Sequence, residues 1–307
     1  MSFRSFIIYC ALGGAWGALG GWLLGRLIEA DRAVIAAGIK GLWLGMLVAA
    51  GVGLVDVLWT VPPGQIVAVG LRVLTAVVVG GLGGFLGGFI GQILFGWKPF
   101  ALFLIFGWTV TGLLIGFSVG AFDLLTRLAR DEEVSGAVRK VRNGMIGGTA
   151  GGLLGGTLSL LLRGFWLGLF RHAPGEELWS PSALGFVALG ACIGLLIGLA
   201  QVVLKEAWVR VEAGFRPGRE LILSKAETTI GRAEGCDIGL FGDPTIERLH
   251  ARILKRGDRY LLADGDTPGG TFLNDVPVAG PTVLRSGDLI RVGGSLLRFG
   301  ERKKRTD

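Results

Sequence analysis

Gly198-Leu199-Ala200-Gln201-Val202-Val203-Leu204-Lys205-Glu206-Ala207-Trp208-Val209-Arg210-Val211 is the stretch in which the chain changes solvent. Up to Leu204 the residues are apolar almost without interruption, as in a helix surrounded by hydrocarbon. From Trp208 onward polar and apolar residues begin to alternate, as in a half-buried strand. No Ser/Pro-rich linker intervenes. The junction therefore divides the chain into a membrane module, 1–206, and a water-soluble module, 207–300, followed by a basic tail, 301–307.

Composition supports the division. Residues 1–206 hold 10 acidic and 14 basic side chains and 40 of the 55 glycines, whereas the remaining 101 residues hold 14 acidic and 17 basic ones. Over all 307 residues only 18 % are charged, against about 25 % in ordinary globular chains, and mean hydropathy is +0.60. Two histidines (His172, His250) and three cysteines (Cys10, Cys192, Cys236) lie far apart. That argues against a zinc site, a Cys/His nucleophile and a disulfide framework. We therefore expect no enzyme, no cofactor and no metal. The net charge of +7 is small for this length and is read through membrane topology, not nucleic-acid binding.

Six apolar stretches, near 5–27, 35–60, 66–95, 100–125, 144–169 and 183–204, can each cross about 30 Å of hydrocarbon. The first lacks a small-residue cleavage site and is read as a span, not a signal peptide. Self-similarity recurs at about 67 residues: Gly20-Gly21, Gly87-Gly88 and Gly155-Gly156 correspond, and Asp56 matches Asp123, with Gln201 in the third copy. The module is thus expected to be three helical hairpins in tandem. Within the spans glycines recur every four residues, as in Gly13-Gly17-Gly21-Gly25, Gly112-Gly116-Gly120 and Gly190-Gly194-Gly198. Such stripes let helix backbones approach closely in lipid, as a glycine zipper within one bundle or between copies of the chain in a homo-oligomer; a glycine-lined pore is the alternative.

Asp56 and Asp123 are the acids within these spans. Each lies about a turn from a span end, so pairing between helices and coupling to an ion or substrate are both open readings. Basic residues orient the module. Arg4, Arg72, Arg127, Arg130, Arg139, Lys140, Arg142 and Lys205 fall on one side, and Arg26, Arg32, Lys40, Lys98, Arg163 and Arg171 on the other. The first set is assigned to the cytoplasm, which places both termini there in a multi-pass inner or plasma membrane protein. The excess of Arg over Lys suggests a GC-rich bacterial source.

Residues 208–300 read as ten short strands with polar turns, an all-β sandwich. Along them run Ile230-Gly231-Arg232, Asp237-Ile238-Gly239-Leu240, Arg248-Leu249-His250-Ala251, Gly270-Thr271-Phe272-Leu273-Asn274 and Arg285-Ser286-Gly287-Asp288-Leu289. In order and spacing these motifs resemble the forkhead-associated (FHA) domain family. The membrane module resembles no family known to us. The resemblance implies an eleven-stranded sandwich that binds phosphothreonine peptides with loops at one end. It assigns phosphate contact to the Arg of the Gly-Arg pair, to a Ser, and to the residue after that Ser. It also assigns an Asn before Gly-Thr to the peptide backbone.

Carried over by position, Arg232 and Arg248 are the phosphate-binding cations, and Gly231 and His250 brace the loop. Gly270, Thr271 and Asn274 belong to the same loop system, the latter two as scaffolding. The Ser position holds Glu247 and the Asn position Gly269. A carboxylate there repels phosphate and competes for Arg232 or Arg248, at a cost of about 1–4 kcal/mol at a few ångströms. Losing the Asn removes a further hydrogen bond, about 1 kcal/mol. The expected function is therefore a membrane-anchored FHA adaptor or scaffold contacting protein partners, with phosphothreonine peptides weakened as ligands. A transporter or channel regulated by the FHA module, with Asp56, Asp123 and Gln201 around a cavity, is the alternative.

Overall fold

The computed structural model describes residues 3–27, 32–60, 66–131, 134–169, 181–223, 226–257 and 259–302. Arg171 and most of the basic tail lie outside them. The described chain forms two compact units, one chiefly of residues 4–59 and 67–204 and the other chiefly of residues 205 onward.

The first unit contains α1 (Phe3–Arg26), α2 (Ala33–Thr60), α3 (Ile66–Trp97), α4 (Ala101–Ala129), α5 (Ser135–Leu169) and α6 (Pro181–Val203). All six are long and apolar enough to cross a membrane. A helix satisfies its own backbone hydrogen bonds, which is what a segment long and apolar enough for hydrocarbon requires of so glycine-rich a sequence. The outer surface is apolar, with Trp16, Leu58, Leu102 and Phe165 largely exposed.

Five of the helices begin and end within a few residues of the expected spans; α5 does not. It starts at Ser135, nine residues ahead of the expected start at 144. The cations at 139, 140 and 142 make this stretch read as a loop. Buried Ala137 and Val141 share a face with buried Gly144, however, and packing on that face extends the helix.

Successive helices meet where glycines remove side chains from the contact. A Cβ on Gly13 of α1 would stand 2.9 Å from the Gly51 carbonyl oxygen of α2. Gly45 of α2 faces Gly80 of α3, Gly87 of α3 faces Gly107 of α4, and Gly116 of α4 faces Gly144 of α5, each too close for a methyl group. Gly147 of α5 abuts Ile197 of α6, and Gly190 of α6 abuts Gly14 of α1. The last contact returns to the first helix, so the six form a closed ring. Its interior is filled by side chains that include Cys10, Val48, Ile115, Leu189 and Ile193.

Replacing Gly116 by Leu should therefore cost about 3 kcal/mol through overpacking, whereas Leu at Gly164, which faces open space, should cost nothing measurable. Gel filtration of heated, detergent-solubilised protein would separate the two. Equal loss of monodisperse protein for both variants would contradict the packing described.

Among the described residues the second unit is a sandwich of eleven strands: β1 (Ala207–Ala213), β2 (Glu220–Ile222), β3 (Glu227–Gly231), β4 (Ile238–Gly239), β5 (Ala251–Arg256), β6 (Arg259–Asp264), β7 (Thr271–Leu273), β8 (Val276–Pro277), β9 (Thr282–Val283), β10 (Leu289–Val292) and β11 (Ser295–Glu301). One sheet has the order β2-β1-β11-β10-β7-β8, the other β4-β3-β5-β6-β9. The two-residue β9 is the strand that sequence patterning does not reveal. Alternation places Val209, Val211, Ile253, Leu262, Leu297 and Phe299 in the core between the sheets. The first and last strands pair antiparallel, Ala207 opposite Glu301. Three connections then gather at one end of the sandwich: β3–β4, β4–β5 and β6–β7.

Candidate functional site

These three loops are held together by their backbones before any side chain contributes. The Arg232 N–H donates to the Glu247 carbonyl (3.0 Å), and the Ala233 N–H to the Arg248 carbonyl (3.1 Å). The strands approach so closely here that a Cβ on Gly231 would strike the Arg248 carbonyl oxygen, which explains the glycine of the Gly-Arg pair.

His250 joins the loops from below. It is fully buried. Its Nδ1 accepts the Glu247 N–H at 3.1 Å, so the proton resides on Nε2, which stands 3.1 Å from the Gly270 carbonyl oxygen and 3.2 Å from Thr267 Oγ1. One neutral imidazole thus links the β4–β5 and β6–β7 loops. Asp264 supports the second of these, accepting from the Thr267 N–H (3.0 Å) and the hydroxyl of buried Thr271 (2.5 Å). Asp243 accepts from Thr245 and from the Gly294 N–H at 2.8 Å, which ties the β4–β5 loop to the β10–β11 turn.

Burial raises the Asp264 carboxyl pKa, but the hydrogen bonds from Thr271 and Thr267 outweigh it and hold the group below the usual carboxylate range. A depressed carboxylate stabilises the fold above its unfolded-state pKa, near 3.9, and that contribution fades as pH falls through the folded value. Asp264→Asn should cost about 1–2 kcal/mol at pH 7 and progressively less below pH 4. Urea unfolding of residues 205–307, followed through Trp208, checks this; a cost independent of pH would contradict it.

On this frame Glu247 reaches toward Arg232, with a carboxylate oxygen 3.9 Å from a guanidinium nitrogen and both side chains about half exposed. Such a pair contributes little stability, yet it places a negative charge 3.9 Å from the Arg232 guanidinium. Of the two arginines open to Glu247 by sequence, the fold selects Arg232. Arg248 is exposed and, among the described residues, makes no ion pair; its carbonyl accepts from the buried Cys236 thiol at 3.1 Å. Gly269 has ordinary φ, and a Cβ there would stand 3.6 Å from the nearest atom, so the position admits a side chain. Asn274, with left-handed φ of 50°, sits at the other end of β7. It binds Asp288 and the Leu289 N–H (each 2.9 Å) and fastens the β7–β8 turn to β10, outside the loop cluster.

Asp56, Asp123 and Gln201 of the helical unit are brought together by Lys140, in the part of α5 that sequence patterning marks as a loop. The Lys140 ammonium donates to Asp56 (2.6 Å) and Asp123 (3.3 Å). Arg72 reaches Asp123 at 2.7 Å, and the Gln201 amide donates to the Lys140 carbonyl at 2.9 Å. Arg72 and Lys140 are 68 residues apart, nearly the offset that matches Asp56 with Asp123. That correspondence is the signal the sequence offers, obscured because Arg72 falls within the expected span 66–95 and Lys140 in the expected loop before 144. A narrow cavity beside the network is lined by Asp56, Arg72, Ser118 and Asp123 among others. Among the described residues no His/Cys/Asp/Glu group could hold a metal ion.

Comparison with known proteins bears on the second unit. Residues 228–293 match the family model described as FHA domain. Over 94 residues the chain is 35 % identical to an oxoglutarate dehydrogenase inhibitor of Corynebacterium jeikeium, covering 31 % of this chain and 64 % of that protein, just under two thirds of its length. Over 132 residues it is 32 % identical to the glycogen accumulation regulator GarA of Mycolicibacterium smegmatis, covering 43 % of this chain and 78 % of the relative. A solved structure described by its phosphothreonine-dependent FHA domain interactions shares 29 % identity, with 33 % of this chain and 100 % of that chain covered at a TM-score of 0.30.

Proposed function

We propose, from the premise that this chain belongs to the FHA domain family, that it is a membrane-anchored, non-enzymatic adaptor whose loop end recruits protein partners without requiring phosphate. The observation that carries this reading is Glu247. It occupies the place of a phosphate-binding Ser and lies against Arg232, one of the two cations a phosphothreonine would need. A dianion entering there meets a carboxylate at short range. Gly269 offers no side chain to orient a peptide backbone. The named relatives, an enzyme inhibitor and a regulator, are consistent with a binding role.

The membrane helices then serve as the anchor, with the loop end presented to the cytoplasm. A transporter would need carboxylates available to a solute, and the pairing of Asp56 and Asp123 with Lys140 and Arg72 favours the anchor instead. The test is capture of cytosolic proteins on the detergent-solubilised full chain, before and after phosphatase treatment of the cytosol. Capture that survives dephosphorylation and is lost in an Arg248→Glu variant is the expected result. Capture abolished by phosphatase would overturn the phosphate-independent reading.

A further inference from the structure

The four charges of this network belong to three different helical hairpins, and their pairing follows a pattern. The second hairpin, α3 and α4, carries its own pair, Arg72 with Asp123. The bond from Lys140 to Asp56 joins the third hairpin, α5 and α6, to the first, α1 and α2, across 84 residues of sequence. Both side chains are largely withdrawn from solvent, 13 % and 8 % exposed. We infer that Lys140 is the keystone of an intramembrane clasp that closes the bundle as a ring by joining its first and last hairpins.

The physical case rests on selection. The six helices are alike in hydropathy, and lipid supplies no hydrophobic drive to prefer one neighbour over another. The glycine contact of Gly190 with Gly14 allows α6 to lie against α1, but close-packing glycines are found at the other seams as well and specify little. Opposite charges are specific. An uncompensated ammonium or carboxylate in hydrocarbon is costly, so an arrangement that leaves Lys140 away from Asp56 is disfavoured even where its helices pack well. Asp123 alone, already served by Arg72, would not draw the third hairpin onto the first. Gln201 adds α6 to the assembly through the Lys140 carbonyl. The network thus ties α2, α3, α4, α5 and α6 at one end of the ring, and the α6–α1 contact completes it.

The test reads ring closure directly. A Cβ at Gly198 of α6 would lie 3.1 Å from the Cβ of Cys10 in α1, a few tenths of an ångström inside the usual disulfide range, so a Gly198→Cys background, with a small outward shift of α6, provides an intramolecular cross-link across the seam. In full-length protein treated with a membrane-permeant oxidant in native membranes, this cross-link should form in the otherwise natural chain despite the burial of Cys10. Adding Lys140→Met should reduce its yield roughly tenfold, because the buried Asp56 carboxylate then loses the Lys140 ammonium 2.6 Å away. Combining Lys140→Met with Asp56→Asn should restore the yield, since removing both charges of a buried pair is often neutral; Lys140→Arg should retain it. Full yield in Lys140→Met would overturn the inference. So would failure of the double variant to recover, which would assign Lys140 to general folding. Detergent gel filtration of the same variants reports the closed ring a second way, as a symmetric monodisperse peak lost in Lys140→Met and regained in the double variant.

Discussion

Phosphothreonine binding should appear when Glu247 is replaced by Ser and Gly269 by Asn in the same chain. The first change removes the carboxylate 3.9 Å from the Arg232 guanidinium and leaves Arg232 and Arg248 as two unopposed forks for a dianion. Relief of a repulsion of about 1–4 kcal/mol corresponds to between fivefold and several-hundredfold in affinity. The second adds a hydrogen bond to the peptide backbone, about 1 kcal/mol, or roughly fivefold. The structure accepts both: Glu247 is half exposed, and a Cβ at Gly269 has ordinary van der Waals room. Fluorescence anisotropy with a labelled phosphothreonine peptide and its unphosphorylated twin should show discrimination of about a hundredfold or more in the double variant and little in the natural chain. A natural chain that already discriminates as strongly would refute the role given to Glu247.

His250→Leu should have the largest effect on the loop end itself. Leucine fills the volume but leaves the Glu247 N–H and the Gly270 carbonyl, both served by the imidazole, without partners. Each unmet buried group costs about 1–3 kcal/mol, so a loss of about 3 kcal/mol is expected, a large part of a domain's usual 5–15 kcal/mol. Urea unfolding of residues 205–307 provides the measurement. A change below about 0.5 kcal/mol, the size of an ordinary surface substitution, would show that the two loops do not depend on this side chain.

Much of the architecture is legible because its signals are local. Hydropathy over some twenty residues marks a helix in lipid, and the alternation of Val209, Arg210 and Val211 marks a strand with one buried face. The FHA resemblance is legible because its motifs sit on turns whose geometry restricts residue choice, as at Gly231, where the Arg248 carbonyl excludes a Cβ. The strand β9 is illegible because two residues are too few for any period. The start of α5 is illegible because cations at helical spacing read as a loop until the fold brings Asp56 and Asp123 to Lys140.

Sequence alone determined that this chain has an apolar half of long helices and a charged half of short strands, that the latter is an FHA sandwich, and that Glu247 and Gly269 stand in the loops at one end of it. Tertiary structure decided which charges meet: Glu247 with Arg232 and not Arg248, and Lys140 with Asp56 across 84 positions. The difference follows from range. Periodicity and turn chemistry act between neighbours in sequence, whereas a charge is neutralised by whatever the packed backbone brings within about 4 Å.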